Sequence, residues 1–150
     1  MVFDALEFLT WVQTSGSATV EAFDCSVDNV LNDAFTYTNV YDLGAASPNY
    51  DNQSIYIKAR EDVNGAVIAG STDTTVVIVS KLVSGATASP AVDHTGPTQV
   101  LSTEVLEIPL PQDVARYIKV GIESDGGAGV ADLTKGAVAV WLGVSGRKEK

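Results

Sequence analysis

Thiol catalysis needs a base beside the sulfur, and the chain holds one of each: Cys25 is its only cysteine and His94 its only histidine. No local signature joins them, and a lone cysteine is more simply a small buried apolar residue. A single imidazole rules out a His-rich metal centre of the cupin kind. Carboxylates are plentiful, with Asp24, Asp28 and Asp33 clustered and Glu104 near Glu107. A glycosidase needs two of them roughly 5–10 Å apart in a cleft, and nothing in the spacing selects a pair. The Asp24–Asp33 cluster lacks the alternating ligands and central glycine of an EF-hand loop. "SDGGAGV" (124–130) is followed by no GK[ST] and no helix signal, so it reads as a loop and not as a phosphate cradle. Trp11 and Trp141 could stack on sugar rings, but each is more simply a core or interface aromatic. The expectation is a protein that is not an enzyme, with no cofactor and no metal.

The elements that would carry these residues are short. The chain has 150 residues, 45% hydrophobic and 19% charged, which suits one globular domain with a real core. No apolar run approaches the roughly 20 residues that cross a bilayer, and "MVFDALEFLTWVQ" lacks the basic start of a signal peptide. The sequon Asn52-Gln53-Ser54 matters only in a glycosylating pathway. The formal charge is −10. Without Arg147–Lys150 the body counts 6 Lys+Arg against 18 Asp+Glu. Such a body repels phosphate backbones, so neither nucleic acid nor membrane is expected as a partner.

β-prone stretches recur between turn signals: 17–23, 35–44, 54–61, 74–85, 100–110, 113–124 and 137–145. In 54–61, Ile55, Ile57 and Ala59 would share a dry face, with Tyr56, Lys58 and Arg60 on a wet one. Val76–Val79 is an unbroken apolar run of the kind covered on both faces. Val138, Val140, Leu142 and Val144 point inward on the last strand. Asn64-Gly65 signals a type I′ hairpin, and 86–99, rich in Ser, Thr, Pro and Gly, reads as an exposed loop. Helix signals are confined to 26–34, about two turns from Val27, Val30 and Leu31, and to the N-terminus, which suits a helix or an extended arm. The pattern predicts an all-β chain, an antiparallel β-sandwich or a jelly roll.

Two places invite a partner. Val2, Phe3, Leu6, Phe8, Leu9 and Trp11 form an apolar surface too large to leave wet on a chain end. It either reaches another subunit or packs on its own sandwich as an edge strand or lid. Arg116 falls on the parity of Ile118, Val120 and Ile122, where it can meet a carboxylate at the sheet edge, and Tyr117 faces the other way. A sheet-edge ion pair and an amphipathic tyrosine are the simpler reading of that dipeptide.

Taken in order, the segments resemble the small capsid cement (decoration) proteins of tailed bacteriophages. The likeness is carried by Met1-Val2-Phe3-Asp4-Ala5, by Asp42-Leu43-Gly44, by Leu110-Pro111, by Arg116-Tyr117-Ile118-Lys119-Val120, and by Gly136 and Val138. The loops at 45–53 and 84–99 are longer than that pattern has, and "GRKEK" extends its end. The resemblance implies a single jelly-roll domain over 1–150, with 1–14 as an N-terminal arm and 147–150 as a flexible basic tail. It also implies a homotrimer on the outer capsid surface of the virion, bound to the major capsid protein of an HK97-type shell and made in the bacterial cytoplasm. Val2, Phe3, Leu6, Phe8, Leu9, Trp11, Arg116 and Tyr117 are the interface residues expected under this reading. The alternative is a carbohydrate-binding or adhesin-like β-sandwich, which needs aromatics aligned on an exposed face.

Overall fold

The computed structural model describes residues 7–13, 18–31, 34–44, 53–68, 73–81, 92–124 and 132–144. Val2, Phe3 and Leu6 lie outside them. Alternating β-branched and aromatic residues fold as expected into strands, and no helix occurs among the described residues. The twelve strands are β1 (Glu7–Leu9), β2 (Trp11–Gln13), β3 (Ala18–Val20), β4 (Ala22–Asp24), β5 (Thr36–Tyr37) and β6 (Tyr41–Asp42), followed by β7 (Gln53–Arg60), β8 (Asp73–Lys81), β9 (Val92–Val100), β10 (Leu106–Pro109), β11 (Tyr117–Ser124) and β12 (Ala137–Val144).

Two antiparallel sheets and a small ribbon result. The first sheet runs β1-β12-β7-β10, with β4 following β1 along the same edge of β12. The second runs β5-β11-β8-β9, with β6 beside β5 along β11. β2 and β3 form the ribbon. One hydrophobic cluster joins both sheets. Ile55, Ile57, Ala59, Val138 and Val140 come from the first, and Ile118, Val120 and Ile122 from the second. Register explains the choice: Val138, Val140 and Leu142 stand opposite Ala59, Ile57 and Ile55, so period-2 alternation sends all six to one face.

The edges use side chains where backbone partners run out. Between β5 and β6, the Thr38 hydroxyl accepts the Val120 N–H at 3.0 Å. At β4, the Gln13 amide pairs with the Asp24 backbone in both directions, at 2.9 and 3.0 Å, as a neighbouring strand would.

Four expectations are corrected. Residues 92–99, read as loop, belong to β9. The turn-like Gly96-Pro97 sits in a bulge, where both residues oppose Val76 between the pairs Thr75–Thr98 and Val77–Thr95. β9 is an edge strand, the one place where proline's missing N–H removes no ladder bond. The two-turn helix predicted for 26–34 is a turn at 25–27 followed by a bridge from Val30 to Leu133. Its short apolar triplet has no length to nucleate a helix, and Val30 is fully buried, its backbone exchanging both hydrogen bonds with Leu133. The Asn64-Gly65 turn forms, but its hydrogen bond runs from the Gly65 N–H to the Asp62 carbonyl, at 3.0 Å. Val63-Asn64 is therefore the central pair, and Gly65 takes the positive φ, 78°, after it. Finally, the face of β7 read as wet is dry at Tyr56, which is fully buried.

Candidate functional site

A short strand ending in Asp42-Leu43-Gly44 and a second entering through Arg116-Tyr117 meet at the edge of the second sheet, although 74 residues separate them. Backbone pairing sets the meeting: Tyr117 stands opposite Asp42, and the Leu43 N–H donates to the Arg116 carbonyl at 2.8 Å. Arg116 Nε donates to Asp42 Oδ1 at 2.8 Å and Nη2 to Oδ2 at 2.9 Å, a two-pronged pairing that only guanidinium geometry provides. Asp42 Oδ1 also accepts the Gly44 N–H at 2.8 Å. Gly44 takes φ 84°, a left-handed conformation that favours glycine. Arg116 holds the Asp42 carboxyl below its usual value, with help from the Gly44 amide. The guanidinium lies over the Tyr117 ring, 5.1 Å from its centroid.

The expected parity of Arg116 is thereby corrected. β11 begins at Tyr117, so Arg116 lies in the bend before it and turns toward Asp42 and not toward the core with Ile118. The sheet-edge ion pair is present, and Tyr117 is half-buried under the guanidinium. Further along the same outer face, Lys119 Nζ lies 3.6 Å from the centroid of the Tyr37 ring, and Phe35 and Tyr37 pair at 6.0 Å.

The N-terminal residues divide. Leu9 and Trp11 are 1% and 0% exposed in the protein's own core, where Trp11 packs on Phe23 at 5.4 Å. They have no surface left for a partner and drop out of the expected interface. Phe8 sits on the outer face of the first sheet, against Trp141 at 5.8 Å, under the Arg60 guanidinium. For 7–13 the edge-strand alternative therefore holds. Trp141 stacks on Tyr56 at 5.8 Å, and the Tyr56 hydroxyl and Ser54 both donate to Glu107. With both tryptophans buried, neither indole offers a face to a sugar.

Cys25 and His94 do not meet, and Asp33 lies outside the described residues. Cys25 is fully buried after β4, and burial, then the charges of Asp24 and Asp62, push its thiol up to about 12. A thiol that stays protonated is no nucleophile. His94 lies on β9 in the other sheet, its Nδ1 3.7 Å from Asp113 Oδ1. Among the described residues no three His, Cys, Asp or Glu side chains gather as metal ligands, and no helix is long and apolar enough to cross a membrane.

A pair of carboxylates that spacing did not reveal does come together. Asp62, 8% exposed, accepts N–H groups from Asn64, Ala66 and Gly136 at 2.8–3.0 Å. Asp24 accepts from the Ser26 amide and hydroxyl and from the Val63 amide. These bonds, Gly136 foremost at Asp62, lower the Asp62 carboxyl. At Asp24 burial pushes upward, and the bonds from Ser26 and Val63 outweigh it, so that carboxyl is lowered too. The pair fastens the 62–66 turn to β4 and to the start of β12. The local signals, Asp-x-Ser at 24–26 and Asp-x-Asn at 62–64, are Asx-turn patterns.

No family model matches the chain, and neither the characterised proteins nor the solved structures compared with it contain a match.

Proposed function

We propose that the chain is a capsid decoration protein that binds the outer surface of a tailed-phage shell of the HK97 type as a homotrimer and bridges its capsomers. The observation that carries this reading is the junction of Asp42-Leu43-Gly44 with Arg116-Tyr117. Two of the motifs on which the resemblance rests, far apart in sequence, are one structural corner, closed by the ion pair and a backbone hydrogen bond. A third, Gly136 and Val138, opens the central strand of the first sheet. The jelly roll that the resemblance implies has support in the strand order. From β4 onward, the chain changes sheet at every connection except β5–β6, along one edge of β11, and the β8–β9 hairpin.

Cementing needs several modest contacts and no reactive group. A trimer that grips a shell at several points gains on the order of a hundredfold in avidity over one domain, because each further contact is intramolecular. The acidic body keeps such a protein off the packaged genome. The carbohydrate-binding alternative loses its main support with the burial of Trp11 and Trp141.

Co-sedimentation tests the reading. The protein is mixed with DNA-free heads built from the major capsid protein of the same genome, and in parallel applied to a glycan array. Saturable pelleting, at a copy number divisible by three, is expected. A protein that stays in the supernatant while binding a glycan contradicts it.

A further inference from the structure

The Asn64-Gly65 pair carries a chemistry that its turn does not use. A side-chain amide followed by glycine is open to attack by the chain on itself, because no side chain crowds the next backbone nitrogen. The chain has six asparagines, and only Asn64 precedes a glycine. Asn64 and Gly65 are both exposed, so water reaches the pair. The space beside Gly65, where a Cβ would stand, is open.

Three hydrogen bonds hold the pair. The Gly65 N–H donates to the Asp62 carbonyl at 3.0 Å, and the Asn64 N–H to Asp62 Oδ1 at 2.8 Å. The Asn64 side-chain amide donates to Ser26 Oγ at 3.3 Å. This last bond is the only one of the three on the reacting side chain. It is also the longest, and it is exposed to competing water. The Ser26 hydroxyl commits its one proton to Asp24 Oδ1, at 2.6 Å. Toward Asn64 it can only accept. An amide at position 64 suits that oxygen, and a carboxylate does not.

We propose that Asn64-Gly65 is a site of self-modification, where loss of ammonia turns the Asn64 donor into a carboxylate and unfastens the corner that Asp24 and Asp62 close. In the first step the Gly65 backbone nitrogen gives its proton to hydroxide and attacks Asn64 Cγ. The N–Cγ bond forms, the Cγ–Nδ2 bond breaks, and Nδ2 leaves as ammonia with a proton from water. A water molecule then opens the five-membered imide at either carbonyl, leaving an aspartyl or an isoaspartyl residue. The sum is amide plus water to carboxylate plus ammonium, with no change of oxidation state. In both products the donor to Ser26 is gone, and a further negative charge stands beside Asp24 and Asp62. The isoaspartyl form also lengthens the backbone inside the turn. Val63 is held to Asp24 and Gly136 to Asp62 through the same corner, each at 2.9 Å, so the disturbance reaches β4 and the start of β12. The inference draws only on the chain's own residues and does not rest on the capsid reading.

Peptide mapping by mass spectrometry tests it on the unsubstituted protein, kept folded in warm, mildly alkaline, oxygen-labelled water. Asn64 should take up the label and lose its amide on the order of tenfold faster than any other asparagine. Ser26→Ala, which releases the side-chain amide, should quicken the loss severalfold, and Gly65→Ala should slow it. The aged protein and Asn64→Asp should both unfold at a lower urea concentration than the parent. Loss at Asn64 no faster than at the other asparagines overturns the site. Loss that occurs only once urea has unfolded the chain also overturns it, since the folded turn would then be closed to the reaction. An unchanged urea midpoint in both the aged protein and Asn64→Asp overturns the unfastening.

Discussion

At the level of single residues, Asp24 and Asp62 do structural work with charged groups. Both carboxyls are lowered from an ordinary value of 3.8. The unfolded chain therefore binds more protons than the folded one in the range just below that value. Their contribution is fully present above the unfolded value and is lost as pH falls through the lower folded one. Urea denaturation between pH 7 and pH 2.5 should show stability constant down to about pH 5 and then falling. The fall should be shallower in the Asp24→Asn, Asp62→Asn double variant; an unchanged slope would mean that other carboxyls carry the effect. Gly136 is the second sensitive residue. It has φ 81°, and a Cβ there would lie 2.5 Å from the backbone nitrogen of Ile68. Gly136→Ala combines backbone strain with a clash against backbone and should cost at least about 2 kcal/mol. Gly65→Ala meets open space at φ 78° and should cost only about 1 kcal/mol, from conformation alone. Denaturant midpoints of the two variants check the order.

Among the elements, the first sheet is dry on both faces where β7 and β12 cross the middle. Tyr56, Ala139 and Trp141 form a second cluster outside the main core, with Phe8 against it. Trp141→Ala should cost about 3–5 kcal/mol, as removal of a packed core aromatic does, and Trp141 emission should resist acrylamide until the protein unfolds. A small loss would mean that the outer cluster is peripheral. The inner face was legible in the sequence, because Ile55, Ile57, Ala59, Val138, Val140 and Leu142 alternate with period 2. The outer cluster was not, since a tyrosine among Lys58 and Arg60 looks like any solvent-facing residue until Trp141 and Glu107 are placed beside it. β9 was hidden for a related reason. Gly96 and Pro97 carry the local signal of a loop, and only an edge position with a bulge accommodates them in a strand. The ion pair at Arg116 was foreseeable as a type of contact, but its partner, Asp42, is fixed by long-range register that no local pattern encodes.

Over the whole molecule, the described surface pairs an acidic body with a few placed cations. Arg116 and Lys119 lie over rings on the outside of the second sheet, and Arg60 does so on the first. Both sheets therefore present amphipathic outer faces around one shared core. Under the proposed function, this body secures a larger shell through several weak grips at once. The most direct measurement is the temperature at which purified heads rupture, read with and without saturating protein. Decorated heads should survive to a clearly higher temperature, with the gain lost when the trimer is dissociated. Heads that bind the protein to saturation yet rupture at the same temperature as naked ones would contradict the account.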